Sequence, residues 1–192
     1  MRPVLTGLLI LALFAGDWWA LRTSEGQAFD RVAYHAIHDT YRAPWLDKGM
    51  AFATKLGETK SGLFGLVFFG FFGTPVAQVT AKLATVSLIG SAGITAATKW
   101  LVNRERPEGP QDRKNSSFPS AHAVGAAAVA VLVSKRHGRL GWLAWAMALW
   151  IGLSRVYLGR HFPTDVLSGY LLGGVASWLV LRGERWFEKL SF

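Results

Sequence analysis

Ser154-Arg155-Val156-Tyr157-Leu158-Gly159-Arg160-His161-Phe162-Pro163-Thr164-Asp165 sets a guanidinium, an imidazole and a carboxylate at fixed offsets, where one long apolar run ends and another begins. Ionisable groups are costly near a bilayer, so a cluster of them at helix ends marks function by default. Two more islands of this character lie upstream, Lys99 to Pro107 with Arg106, and Pro119 to His122, each beside an apolar segment. This is the layout of a site that handles phosphate.

Composition narrows the setting. The chain has 192 residues, 51% of them hydrophobic, and a mean hydropathy of +0.26. That suits a single membrane-embedded domain over residues 1–192. There is no cysteine, which excludes disulfides, thiolate catalysis and thiolate metal sites. A formal charge of +9 points to anionic partners. The long apolar runs favour anionic phospholipid over nucleic acid, whose binders carry their cations along one soluble surface.

Apolar segments at 4–21, 61–79, 82–101, 121–134, 141–158 and 163–181 predict an all-α bundle of six transmembrane helices. Pro75 and the Gly-rich run from Phe68 to Gly73 interrupt the second. Arg2 before the first apolar run also fits a signal peptide, but no small-x-small site precedes Asp17, and Trp18 and Trp19 resemble an interfacial anchor. The reading is that this segment is retained. Lys135, Arg136 and Arg139 after the fourth span, and Arg182, Arg185 and Lys189 after the sixth, assign those ends to the cytoplasm. With six crossings both termini lie inside, and all three polar islands fall on the outer face.

Between the first two spans, Ser24 and Gln27 have capping-box spacing, and Phe29, Val32, Ala33, Ala36 and Ile37 recur at helical intervals. Pro44 ends that helix, and Trp45, Phe52 and Leu56 predict a second one. Both are read as short amphipathic helices at the outer interface, capping the bundle. His35 and His38 have no cluster of further ligands and are assigned to a solvated helix face, and no metal site is expected. His137 belongs to the inner basic loop.

The islands combine into one chemistry. Lys99, Arg106 and Arg155 suit a phosphoryl group, since guanidiniums grip two oxygens and an ammonium offers a point charge. Ser120 is a natural N-cap, and the free amides of the helix start that follows it can hold an anion, with the hydroxyl as a further donor. Asp165, four residues after His161, can hydrogen-bond the ring and fix one tautomer, leaving His161 as a lone-pair nucleophile. His122 then serves as the acid for the leaving oxygen, and afterwards as the base for water.

These residues resemble the type 2 phosphatidic acid phosphatase family, integral-membrane relatives of vanadium haloperoxidases and soluble acid phosphatases. The family signatures are Lys-x6-Arg-Pro, Pro-Ser-Gly-His and Ser-Arg-x5-His-x3-Asp. They correspond here to Lys99 through Arg106-Pro107, Pro119-Ser120-Ala121-His122, and Ser154-Arg155 through His161 to Asp165, within a core of 82–181. The resemblance implies His161 as nucleophile, His122 as general acid and Asp165 as orienting partner. It further implies Lys99, Arg106, Ser120, Ala121 and Arg155 as phosphate ligands, with no metal or cofactor. Ala121 stands where glycine is usual; its amide still donates, and strain arises only if that position needs a positive φ.

By the same resemblance, the substrate is a membrane lipid phosphate: undecaprenyl diphosphate, placed ahead of phosphatidylglycerol phosphate, phosphatidic acid and lipid A phosphate. The expected activity is hydrolysis at the outer face of a bacterial cytoplasmic membrane, with transfer to another lipid as the alternative. Halide oxidation by bound vanadate uses a similar pocket, but membrane embedding argues against it. A non-catalytic lipid binder would not need an intact acid, nucleophile and orienter.

Overall fold

A computed structural model describes residues 21–184. The expected first span up to residue 20, with its tryptophan anchor, and the basic Arg185 and Lys189 lie outside the described residues. What is described is helical, with one isolated bridge between Arg106 and Gly109. Helix α1, Ser24–His35, runs into a π-helical turn, Ala36–Thr40. Then come α2, Pro44–Leu56, α3, Thr59–Phe72, and α4, Pro75–Val102. A long loop leads to α5, Ala121–Arg136, α6, Leu140–Tyr157, and α7, Pro163–Arg182.

Prolines set several of these boundaries. Pro44, Pro75 and Pro163 each occupy a first-turn position, where the missing N–H costs no hydrogen bond. Pro75 corrects the expected second span. Thr74 caps a new helix through Ala77 N at 3.3 Å, so 61–79 is divided between two helices. The second of them absorbs the expected third span into one rod of 28 residues. At the usual rise α3 is about 21 Å long and α4 about 42 Å. Among the described residues, α4 and α7 are the two helices long and apolar enough to cross a membrane, and α3 is a shorter apolar helix.

Helix α5 is the centre of the bundle. Ala123, Ala127, Ala128, Ala130 and Leu132 are fully buried there, because small side chains let α4, α6 and α7 approach closely. Helix α7 comes nearest. A Cβ at Gly173 would lie 2.1 Å from the Val124 carbonyl oxygen, and one at Gly169 would lie 2.8 Å from both Ala123 Cβ and Ser120 O. The ends of α4 and α6 and the starts of α5 and α7 therefore share one end of the bundle. At the opposite end His137 Nε2 meets Thr80 Oγ1 at 2.9 Å, and Arg136 pairs with Glu184.

The two short helices form where expected and differ in detail. Thr23, not Ser24, caps α1, its hydroxyl accepting from Gly26 N at 3.2 Å. Phe29 and Val32 are exposed, at 52% and 71%, while Asp30 on the other face is 1% exposed. The apolar pattern is divided, since Ile37 packs against the core with Tyr34. In α2, Trp45 and Phe52 likewise point outward, and Met50 and Ala53 are buried. His38 is not on a solvated face: its Nδ1 lies 2.8 Å from Tyr157 O, and its ring stacks on Tyr34. His35 remains exposed, paired with Asp39 at 2.5 Å.

Candidate active site

The shared end of the bundle encloses a cavity of about 800 Å³, lined by Lys99, Arg106, Ala121, His122, Arg155 and His161 together with Thr54, Glu58, Glu108 and Arg160. All three islands of the sequence meet there. Lys99 projects from the last turn of α4, and its ammonium donates to the Ser116 carbonyl. Arg106 is fixed by Asn115, through Nε to the carbonyl at 2.9 Å and Nη2 to Oδ1 at 2.7 Å. Burial draws Arg106 below the usual guanidinium range, against the pull of Glu108. Arg155 ends α6 and donates from Nη1 to Thr54 Oγ1 at 2.5 Å. Each cation is thus oriented by a neutral acceptor, and Arg106 also has Glu108 at 3.7 Å on the cavity rim.

Helix α5 starts at the cavity with Ala121 and His122, and first-turn amides have no intrahelical partner. Ala121 carries no strain of the kind that would demand glycine: among the described residues the only positive φ outside glycine belongs to Asn103. Ser120 sits behind the cavity wall rather than in it. Its N–H donates to Asp165 O at 2.9 Å, and its Oγ is buried with no hydrogen-bond partner.

His161 lies on the short connection from α6 to α7, 2% exposed. Burial, the larger influence, pushes its pKa down to about 4, while Asp165 pulls upward. The ring is therefore neutral at physiological pH. The direct His161–Asp165 hydrogen bond expected from the spacing is not closed, since Nδ1 and Oδ2 are 3.6 Å apart. The carboxylate is turned toward stronger claims on it. Oδ2 accepts from Ser117 Oγ at 2.5 Å and from Phe162 N at 2.8 Å, and Oδ1 accepts from Arg104 Nη1 at 2.6 Å. Ser117 Oγ is itself 3.5 Å from His161 Nδ1.

Sequence reading missed Arg104, Ser117, Thr54 and Asp30. Arg104 lies inside the first island, two positions before Arg106, but it turns away from the cavity to bind carboxylates. Ser117 is two residues ahead of the second island. Thr54 and Asp30 come from α2 and α1, far off in the chain, and only the presence of an acid within an apolar helical pattern hinted at Asp30. Among the described residues no group of histidine and acidic side chains is arranged to hold a metal.

Comparison with known proteins agrees with this arrangement. Residues 80–189 match the profile of the PAP2 superfamily. Phosphatidylglycerophosphatase B of Bacillus subtilis is 31% identical over 93% of both chains. Undecaprenyl-diphosphatase BcrC of the same organism is 34% identical over 35% of each chain. Among solved structures, the transmembrane PAP2 type phosphatidylglycerolphosphate phosphatase from B. subtilis superposes with a TM-score of 0.77 at 26% identity, covering 96% of this chain and 98% of that one. LpxE of Aquifex aeolicus gives 0.68 at 25% identity, covering 78% and 93%. With its profile matched over more than half its length and a relative aligned nearly end to end, this chain belongs to the PAP2 superfamily.

Proposed function

We propose that this phosphatase removes a phosphate from a membrane lipid, without a metal, by way of a phosphohistidine on His161. The observation that carries the reading is the meeting of His122, His161 and three oriented cations, Lys99, Arg106 and Arg155, around one cavity. The neutral His161 ring attacks phosphorus with a lone pair as the P–O bond to the lipid breaks. Arg106, Arg155, Lys99 and the amides of Ala121 and His122 take up charge on the transferring oxygens. His122, favoured in its protonated form by the bound anion, gives its proton to the leaving oxygen. It then accepts one from the water that attacks the phosphohistidine, releasing inorganic phosphate and restoring both rings.

Phosphatidylglycerol phosphate is placed first among the lipids, supported by the relative that aligns along the whole chain. Undecaprenyl diphosphate follows, its namesake matching a shorter stretch. Six crossings, with the first outside the described residues, would put the cavity at the outer leaflet of a bacterial cytoplasmic membrane. Purified protein in detergent, given a panel of lipid phosphates and diphosphates in excess EDTA, is expected to release phosphate and to be inhibited by vanadate. His161→Ala should abolish turnover, and His122→Ala should fail mainly on substrates with poor leaving groups. Activity lost in EDTA and restored by a divalent metal, or undiminished in His161→Ala, contradicts the reading.

A further inference from the structure

Behind His161, on the side away from the cavity, lies a buried chain of charge that the reaction scheme does not use. Arg104 presents its fork to two different carboxylates: Nη1 donates to Asp165 Oδ1 at 2.6 Å, and Nη2 to Asp30 Oδ2 at 2.5 Å. Asp30 also accepts from Thr164 N at 2.9 Å and from Thr164 Oγ1 at 2.5 Å. Arg104 Nη1 further reaches Thr164 Oγ1 at 2.8 Å, and its guanidinium lies 4.4 Å above the Phe162 ring. Asp30 and Asp165 are 1% and 0% exposed. Asp30 belongs to α1, outside the three signatures and outside the stretch matched by the family profile.

Geometry gives this arrangement a task. An arginine facing one carboxylate tends to grip both oxygens with two parallel N–H bonds. Here the second N–H is held by Asp30, so Arg104 takes only Oδ1 of Asp165. Oδ2 is left for Ser117, Phe162 N and the imidazole side. We infer that Asp30 is a positioning residue: by dividing the Arg104 fork it keeps Asp165 Oδ2 directed at His161, and so ties the phosphoryl-transfer step to the docking of α1. This rests on the reading of His161 as nucleophile. It makes α1 a part of the catalytic apparatus rather than only a cover. In Asp30→Asn the Thr164 N–H keeps an acceptor, but the charge holding Nη2 is gone; the guanidinium then closes on both oxygens of Asp165 and draws Oδ2 away from the ring.

The test is single-turnover release of nitrophenolate from nitrophenyl phosphate by the full-length protein in detergent, with inhibition by inorganic phosphate measured alongside. Asp30→Asn is expected to lower the single-turnover rate constant by roughly tenfold or more, because small misplacements of a reacting group are costly. The inhibition constant for inorganic phosphate should stay within about threefold, since it reads the untouched cavity cations and not bond formation at His161. Arg104→Lys, which keeps the charge but not the fork, should slow the step similarly. A smaller amplitude with an unchanged rate constant would mean that Asp30 only supports folding, and would overturn the inference. So would inorganic phosphate binding lost in proportion to rate. If Asp30→Asn does not fold, Thr164→Val decides, removing one hydroxyl from the same network: a rate constant lower by about threefold is expected, and an unchanged one overturns the inference. His161→Ala serves as the separate control. Burst release from it would sink the nucleophile assignment whatever Asp30 does.

Discussion

At the scale of the residue, the site depends on a histidine that burial keeps neutral. The His161 pKa near 4 lies below the ordinary 6.5, so the unfolded chain binds the proton first as pH falls. Two consequences have a definite sign. The stability associated with this group is fully present above 6.5 and is lost as pH falls toward about 4. The proposed nucleophile, in turn, should stay competent across the mildly acidic range. Burst release from nitrophenyl phosphate, whose leaving group needs no acid, is expected to keep its rate constant between about pH 7 and about pH 5 and to fall only below that. A midpoint at the ordinary imidazole value would show that the ring is far more hydrated than its 2% exposure implies. The cavity-lining residues Lys99, Arg106, His122, Arg155 and His161 were legible because they sit at fixed short offsets within three islands. Asp30 and Thr54 were not legible. Their partners, Thr164 and Arg155, lie 134 and 101 positions away, and no local pattern encodes such a meeting.

At the scale of the element, helix boundaries followed local chemistry. Pro44 and Pro163 marked their starts correctly, since each acts within a turn of itself, and Ser120 stands at the N-cap position of α5 without a side-chain capping bond. Thr74-Pro75 was read as an interruption within one span when it is a fresh start, because hydrophobicity alone does not separate a kink from a boundary. The apolar residues of α1 and its π-helical turn divide between two sides, Phe29 and Val32 outward and Ile37 against the core, with the buried Asp30–Arg104 ion pair as the inward anchor. A close backbone contact is set by glycine in α7 against α5. Gly173→Ala should therefore push the two helices apart at a cost of about 1–3 kcal/mol, seen as a lower thermal midpoint in detergent. Gly174→Ala, with nothing within 4 Å of the added carbon, should be neutral or slightly stabilising. Equal midpoints for the two variants would refute the contact.

For the whole molecule, polar chemistry is gathered at one end and basic loop residues at the other, separated by the length of α5, about 24 Å for 16 residues. The chain contains no cysteine, so sidedness can be read from single introduced thiols. Lys114→Cys, in the exposed loop beside the cavity, should react with a membrane-impermeant maleimide on intact cells. Arg139→Cys, exposed between α5 and α6, should react only after permeabilisation. The reverse pattern would place the cavity on the cytoplasmic side. The glycine seam between α5 and α7 has one more implication, for motion. Helices locked backbone to backbone move as one block. That block holds His122 in the first turn of α5 and receives, at the start of α7, the connection that bears His161, so the two imidazoles keep their spacing while a bulky headgroup enters. Helices α1 and α2 are tied to the same block by side chains, Asp30 with Arg104 and Thr164, and Thr54 with Arg155.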